Sequence, residues 1–352
     1  STIIQPELAG AVMSEELLWM GRRKTNPYIV PWRDKLTLLV KVLPYWLTRN
    51  MVSRAFGWYN PRLGRYVLEQ LDASYYLINE SGGIGHFLPA YDRMITRGIR
   101  GYMETLDETV SDLHAAALIA CEGLADYAGR LSAEARRIAA GEPDPVRRRE
   151  LDEIARICAK VPLKPAETLQ EALQSLWITH MAVCLEGLNS AVSFGRIDQY
   201  LYPFYRADIQ AGRIDREKAL ELLLCFSAKT TEHMFLLSSR VSEYHGGYLV
   251  AQAATVGGVD SGGNDAVNDL TWLFLDVMEL SGLRDPNYMA RISEVSPEPY
   301  VKRAVEVASR GNAVPGLFND EATIAALGAH GYTLEEARDY GVVGCVEPTM
   351  PG

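Results

Sequence analysis

The 352-residue chain is poor in cysteine and shows no pattern in the little it has. Cys121, Cys158, Cys184, Cys225 and Cys345 are scattered, odd in number and without CxxC spacing. That argues against a disulfide framework and a structural zinc site, and it points to a reducing cytosol. Basic charge is also short. Lys and Arg total 35 against 45 Asp and Glu, for a formal net charge of −10, so the basic patch that a nucleic-acid partner calls for is not expected. No apolar run reaches membrane-spanning length, and no signal-peptide pattern opens the chain, so no membrane partner is expected. Neither repeats nor low-complexity segments occur. Gly257-Gly258 and Gly262-Gly263 do not form a nucleotide loop, because no GxGxxG follows a strand and opens a helix. His233 and His245 stand at metal-ligand spacing with no carboxylate, so no metal is expected.

What is present suits a large core, with 48% hydrophobic residues. Length alone would suggest two domains, but no linker divides the chain, and α/β barrels exceed that length as single domains. Helical periodicity predicts helices at Arg62 to Glu80, Asp92 to Arg100, Gly101 to Ala140 and from Pro145 to about Lys160. Thr168 to Cys184 follows, with Thr168 as N-cap and Glu171 completing a capping box. Asp215 caps a helix to Phe226. Further helices are predicted at Ala266 to Ser281, Pro297 to Ser309, Glu321 to Ala329 and Leu334 to Tyr340. Short strands are predicted at Leu249 to Val256, Tyr288 to Ile292, Val314 to Phe318 and Gly341 to Val346. Helices alternating with strands make the second half α/β.

Gly344-Cys345-Val346-Glu347-Pro348 is the most informative string. In an extended segment residues i and i+2 point to one side, so the Cys345 thiol and the Glu347 carboxylate would meet one substrate. Sulfur can take a hydrogen atom or attack as a nucleophile, and a carboxylate can move protons. Gly344 lets a backbone or a substrate come close, and Pro348 is expected to end regular pairing. A lone Cys is also, more commonly, a small buried hydrophobe.

Other strings gather around this one. They include Ser193-Phe194-Gly195-Arg196-Ile197-Asp198-Gln199-Tyr200-Leu201-Tyr202-Pro203, Thr255-Val256-Gly257-Gly258-Val259-Asp260 and Asn268-Asp269-Leu270-Thr271. Pro286-Asn287 with Arg291, Pro315 to Glu321, Ala337 to Gly341, and Gly85-His86 with Pro89 and Gly98 complete the set. Together they resemble the glycyl radical enzymes, the pyruvate formate-lyase-like superfamily, on the branch of dehydratases and carbon–heteroatom lyases. The resemblance runs over nearly the whole chain. It implies a helix-rich ten-stranded α/β barrel around a buried site, as one domain over residues 1–352. The start at Ser1 and the stop at Gly352 read as cut ends. The radical-bearing Gly in its Arg-Val-x-Gly-Tyr context is not found, so the chain is expected to be partial.

By motif match, the resemblance implies that Cys345 is the thiyl site and Glu347 the base that deprotonates the substrate hydroxyl. Val346 follows Cys345 where pyruvate formate-lyase itself has a second Cys, so that activity is not expected. His86 matches the Gly-His position that binds substrate and protonates a leaving hydroxyl in the diol dehydratases. It also fits a loop His that bonds its own backbone. Asn189 and Ser190 stand near a His-Ser pair of those enzymes. Asn189 can bind hydroxyl oxygens, and it also fits a helix end. Tyr248 is a substrate-binding candidate that equally fits a packed strand aromatic. Arg196 with Asp198, and Arg291 with Asp320, read as structural pairs. His180 reads as a helix residue.

The resemblance further implies no bound small cofactor. Instead it implies a protein glycyl radical on a Gly outside this chain, installed by a radical S-adenosylmethionine activating enzyme. The implied partners are that activase, a small hydroxylated substrate and a second copy in a homodimer, in the cytoplasm or a bacterial microcompartment. The main reading is elimination of water from a small 1,2-diol. Hydroxyproline dehydration, isethionate C–S cleavage and choline C–N cleavage stay open. An ordinary thiol enzyme with Cys345 as nucleophile and a non-catalytic scaffold or partner subunit are the competing classes.

Overall fold

The computed structural model describes residues 2–3, 16–46, 49, 85–185, 191–235, 239–244, 250–311 and 313–352. The helix expected at Arg62 to Glu80 lies outside them. Within Trp32 to Trp46 the chain is helical, as Trp32–Thr37, a π turn at Leu38–Val42 and Leu43–Trp46. Helix α1 (Tyr91–Met103) leads to a long antiparallel pair, α2 (Asp112–Gly141) and α3 (Pro145–Lys160). The continuous helix expected from Gly101 to Ala140 is therefore two helices. The Ser111 hydroxyl accepts from the His114 amide and starts α2 afresh, since a side-chain acceptor at the N-cap satisfies an orphan amide. Asp144 caps α3 in the same way, with Pro145 in its first turn.

Helix α4 (Leu169–Leu185) is buried almost all round. Thr168 accepts from the Glu171 amide, as half of a capping box would. The Glu171 carboxylate turns instead to the Glu167 amide, Lys160 and Arg156, fastening α4 to the end of α3.

The sheet follows. Strand β1 (Gly195–Arg196), then α5 (Ile197–Tyr200), α6 (Tyr202–Gln210) and α7 (Arg216–Thr230) lead to β2 (Ala253–Gly257). Helix α8 (Asp269–Ser281) crosses to β3 (Asn287–Ile292), and α9 (Glu298–Ala308) crosses to β4 (Gly316–Asn319). The four strands are parallel, in the order β1-β2-β3-β4. Parallel neighbours need such helical crossovers. Among the described residues this is the largest sheet, against the ten strands of the implied barrel. Of the strand expected from Leu249, that residue lies outside the described residues and Val250 to Gln252 lead into β2, while Val314 and Pro315 lead into β4. A separate two-residue pairing joins Thr2–Ile3 to Met234–Phe235.

Both faces of the sheet are covered, as parallel sheets require. The strand period of two sorts the residues. Ala254, Val256, Tyr288 and Ala290 join the helix-side core with Leu270, Phe274 and Tyr300. On the opposite face Met289 packs with Phe318, Tyr340 and Val342. Helices α10 (Asp320–Ala329) and α11 (Leu334–Arg338) then bring the chain to that second face. There it forms an antiparallel hairpin, β5 (Gly341–Val343) with β6 (Glu347–Thr349).

Candidate active site

The hairpin carries Gly344, Cys345 and Val346 as its turn. The expected strand to Val346 thus ends at Val343. Cys345 and Glu347 meet through a tight turn, not through strand alternation. Gly344 has φ +57, a conformation that an L side chain adopts only at a cost. A Cβ there would also lie 3.1 Å from the Ala191 Cβ and the Glu347 Oε2. Pro348 does not end the pairing as expected. It sits opposite Val342 within the ribbon, and a two-stranded ribbon tolerates a residue that cannot donate.

The base of the hairpin is fixed by a buried charge network. Arg291 donates from Nε and Nη2 to the two Asp320 oxygens at 2.8 and 2.9 Å, with side chains 0% and 1% exposed. Nη1 reaches the Tyr340 carbonyl at 2.9 Å, and the guanidinium lies over the Tyr340 ring. The Tyr340 hydroxyl donates back to Asp320 at 2.7 Å. The structural reading of Arg291 and Asp320 matches this arrangement. Arg196 and Asp198 are arranged differently from the direct pair expected. Arg196 contacts Asp339 at 3.2 Å and the Val259 carbonyl at 2.8 Å. Asp198 accepts from Thr271 and the Gly257 amide on the helix side. The two side chains thus hydrogen-bond to different partners, while their charges still favour one another.

The tip is held by hydrogen bonds. Glu347 Oε2 accepts from the Cys345 amide at 3.1 Å and the Val346 amide at 2.9 Å. Its other oxygen, Oε1, lies 3.6 Å from His86 Nε2. The structure therefore brings His86, Cys345 and Glu347 together. Asn189, Ser190 and Tyr248 lie outside the described residues. Partial desolvation raises the Cys345 thiol above its ordinary value, and the neighbouring Glu347 charge adds to this. The sulfur thus carries its hydrogen at neutral pH, which suits hydrogen-atom transfer and opposes thiolate attack.

Backbone strain gathers here. Among the described residues, the non-Gly positions with positive φ are Asn26, His86, Ala191, Ala251 and Ala313. Of these, His86 and Ala191 flank Gly344, and Ala191 and Ala251 pack with Val343 and Leu88. Such conformations cluster where a surrounding structure over-determines a site.

Further anchors escaped sequence reasoning. Ser193 accepts from the Gly344 amide at 3.1 Å, Thr255 accepts from the Val342 amide at 2.9 Å, and Asn287 donates to the Gly344 carbonyl at 3.0 Å. All three stand in strings that carry the family resemblance, but nothing in their spacing assigns them to the hairpin.

One potential metal-binding group exists among the described residues. His180 and Cys184 of α4 converge with His233, all buried. Spacing could not reveal it, because His233 comes from a different part of the chain. Hydrogen bonds already occupy His180. Gln252 donates its amide hydrogens to the Thr230 carbonyl and Asp285, which turns its oxygen toward His180 Nε2 at 2.7 Å and makes that nitrogen a donor. Tyr91 supplies the hydrogen to Nδ1 at 2.6 Å. Burial lowers His180 to about 3 and His233 to about 4, and raises Asp285 to about 6. The imidazoles are neutral members of a hydrogen-bonded network in which both ring nitrogens of His180 are engaged, beside an Asp285 carboxyl that ionises only above about pH 6. No helix among the described residues is long and apolar enough to cross a membrane.

Comparison with known proteins identifies the family and the fold. The family described as pyruvate formate lyase-like matches residues 1–352. An isethionate sulfite-lyase of Oleidesulfovibrio alaskensis is 33% identical over 371 residues, covering 99% of this chain and 45% of that protein. A glycyl radical enzyme from Archaeoglobus fulgidus superposes with a TM-score of 0.91 at 36% identity, covering 99% of this chain and 46% of that one. The glycerol-bound form of the B12-independent glycerol dehydratase from Clostridium butyricum gives 0.89 at 29% identity, covering 99% and 45%. The chain thus spans about half the length of the relatives it matches. It belongs to the pyruvate formate lyase-like family and has the helix-rich α/β fold of glycyl radical enzymes.

Proposed function

We propose that this chain is the thiol-bearing part of a glycyl radical lyase that eliminates water from a small hydroxylated substrate. The observation that carries the reading is the hairpin tip, where Cys345 shares one turn with Glu347 and Glu347 Oε1 faces His86 Nε2 at 3.6 Å. A protein radical on a Gly outside residues 1–352, installed by a radical S-adenosylmethionine activating enzyme, supplies the chemistry that removes the thiol hydrogen. Every later step falls to residues of this chain. The Cys345 sulfur takes a hydrogen atom from the substrate carbon that bears a hydroxyl. Glu347 Oε1 accepts the hydroxyl proton, which makes the neighbouring carbon–oxygen bond easy to break. His86 Nε2 hands a proton to the departing hydroxyl, which leaves as water. Cys345 then returns the hydrogen atom to the product carbon. With Oε2 tied to two backbone amides, Oε1 is the oxygen left to move protons. Asn189, Ser190 and Tyr248 would complete the substrate contacts, and the protein would act as a homodimer.

A second reading, C–S cleavage, is favoured by the likeness to the isethionate sulfite-lyase, which runs over 99% of this chain. The same thiol and carboxylate serve that reaction, with sulfite leaving in place of water. The test is the full-length protein, activated without oxygen and offered glycerol, propane-1,2-diol, hydroxyproline, choline and isethionate. Aldehyde from a diol would establish the dehydratase reading. Sulfite from isethionate, with no diol turnover, would replace it with the second.

A further inference from the structure

The peptide that joins Gly344 to Cys345 is gripped at both ends. Its carbonyl oxygen accepts from Asn287 Nδ2 at 3.0 Å, and its N–H donates to Glu347 Oε2 at 3.1 Å. The preceding peptide is held as well, because the Gly344 N–H donates to Ser193 Oγ at 3.1 Å. These three bonds set the backbone on which the thiol stands and leave chiefly χ1 free to aim the sulfur.

We propose that Asn287 and Ser193 are positioning residues for the Cys345 thiol. This rests on the reading of Cys345 as the reacting group. Each anchor is itself built into the sheet. Asn287 is the first residue of β3, and its own N–H donates to the Gln252 carbonyl at 2.9 Å. Ser193 Oγ donates to the Ala191 carbonyl at 3.0 Å and also accepts from the Ala253 amide at 2.9 Å. A hydroxyl has one donor and two acceptor sites, so Ser193 is saturated and its orientation is fixed. The parallel sheet therefore imposes its rigidity on the turn through two side chains. Sites held by rigid elements keep reacting atoms within the narrow range that chemistry needs. The amide of Asn287 is required as a donor and not merely as bulk. An isosteric carboxylate would set oxygen against the Gly344 carbonyl.

The test compares Asn287→Asp, Asn287→Ala and Ser193→Ala in the full-length protein before activation. Hydrogen exchange at the Cys345 amide and iodoacetamide alkylation of Cys345 are read by peptide mass spectrometry, with exposed Cys225 as internal control. Asn287→Asp is expected to speed exchange at Cys345 about tenfold, in proportion to the loss of one hydrogen bond. Asn287→Ala should speed it less, Ser193→Ala should speed exchange at Gly344, and Cys225 should be unchanged. After activation, kcat should fall in Asn287→Asp with little change in KM. Should Asn287→Asp fail to melt cooperatively, Asn287→Ala and Ser193→Ala carry the test. Exchange and alkylation at Cys345 within twofold of wild type in the folded variants would overturn the proposal. So would an Asn287→Asp variant better protected than Asn287→Ala. Exchange and alkylation need no radical, so they are independent of the turnover assay.

Discussion

The base and the tip of the hairpin are a few residues apart and are built on opposite principles. At the base, Tyr340 and Val342 are fully buried, and the Arg291–Asp320 pair behind them is closed to solvent. At the tip, packing among the described residues leaves Cys345 and Val346 uncovered, and the backbone is held by side-chain hydrogen bonds from Ser193, Asn287 and Glu347. Burial fixes where the hairpin stands, and directional hydrogen bonds fix how its end points. Polar anchors can hold that end without covering it.

The most severe way to break this contrast is at the base. Asp320→Ala leaves Arg291 buried without its partner. The expected loss is about 3–5 kcal/mol of stability, read as a lowered urea midpoint at an unchanged slope. A loss within experimental error would mean that the hairpin base does not depend on the pair.

Acid should weaken base and tip together, through the network behind the sheet. Burial holds His180 and His233 at about 3 and 4 in the folded chain against an ordinary 6.5, so the unfolded chain binds two extra protons as pH falls below 6.5. Asp285 works the other way, since its folded value of about 6 exceeds 3.8 and the folded chain binds one extra proton between those values. The net is about one proton near pH 5, where carboxylates with lowered values remain ionised. Stability should fall by roughly 2–3 kcal/mol from pH 7 to pH 5. An equal or higher urea midpoint at pH 5 would contradict the neutral-imidazole network.

A smaller effect is expected where the turn itself is changed. Gly344→Ala forces a side chain into left-handed backbone and against Ala191. The expected cost is about 1–2 kcal/mol in thermal or urea unfolding, and turnover should suffer more than stability does. Full activity would show that the turn geometry is not required. Smallest is a contrast confined to the tip. Glu347→Ala should speed amide exchange at Cys345 and Val346 several-fold, whereas Glu347→Gln, which keeps an acceptor, should leave it near wild type. Equal exchange in the two variants would remove the carboxylate from the turn.

The base was more legible in the sequence than the tip. Arg291 and Asp320 read correctly as a structural pair, since a buried Arg and Asp rarely survive apart. Cys345 and Glu347 were recognisable as partners from their string, and His86 from its loop, because residue types carry the chemistry. Their geometry was not readable. Strand alternation put Cys345 and Glu347 on one face, whereas the left-handed φ of Gly344 makes a turn, and only three-dimensional crowding by Ala191 requires it. Asn287 and Ser193 stayed silent for a related reason. A side chain that anchors a segment far along the chain leaves no periodic trace. The helix expected from Gly101 to Ala140 failed at Ser111, where a local cap outweighed an apolar pattern that ran through it. The His180–Cys184–His233 group joins residues that only the fold brings together.

The most direct measurement uses the full-length protein, activated to equal radical content by electron paramagnetic resonance, as wild type, Cys345→Ser and Glu347→Gln. Product is quantified from each substrate of the panel. The expected result is turnover in the wild type only, with the radical signal kept in both variants. Turnover in either variant at a tenth of wild type or more would contradict the joint action of thiol and carboxylate on one substrate.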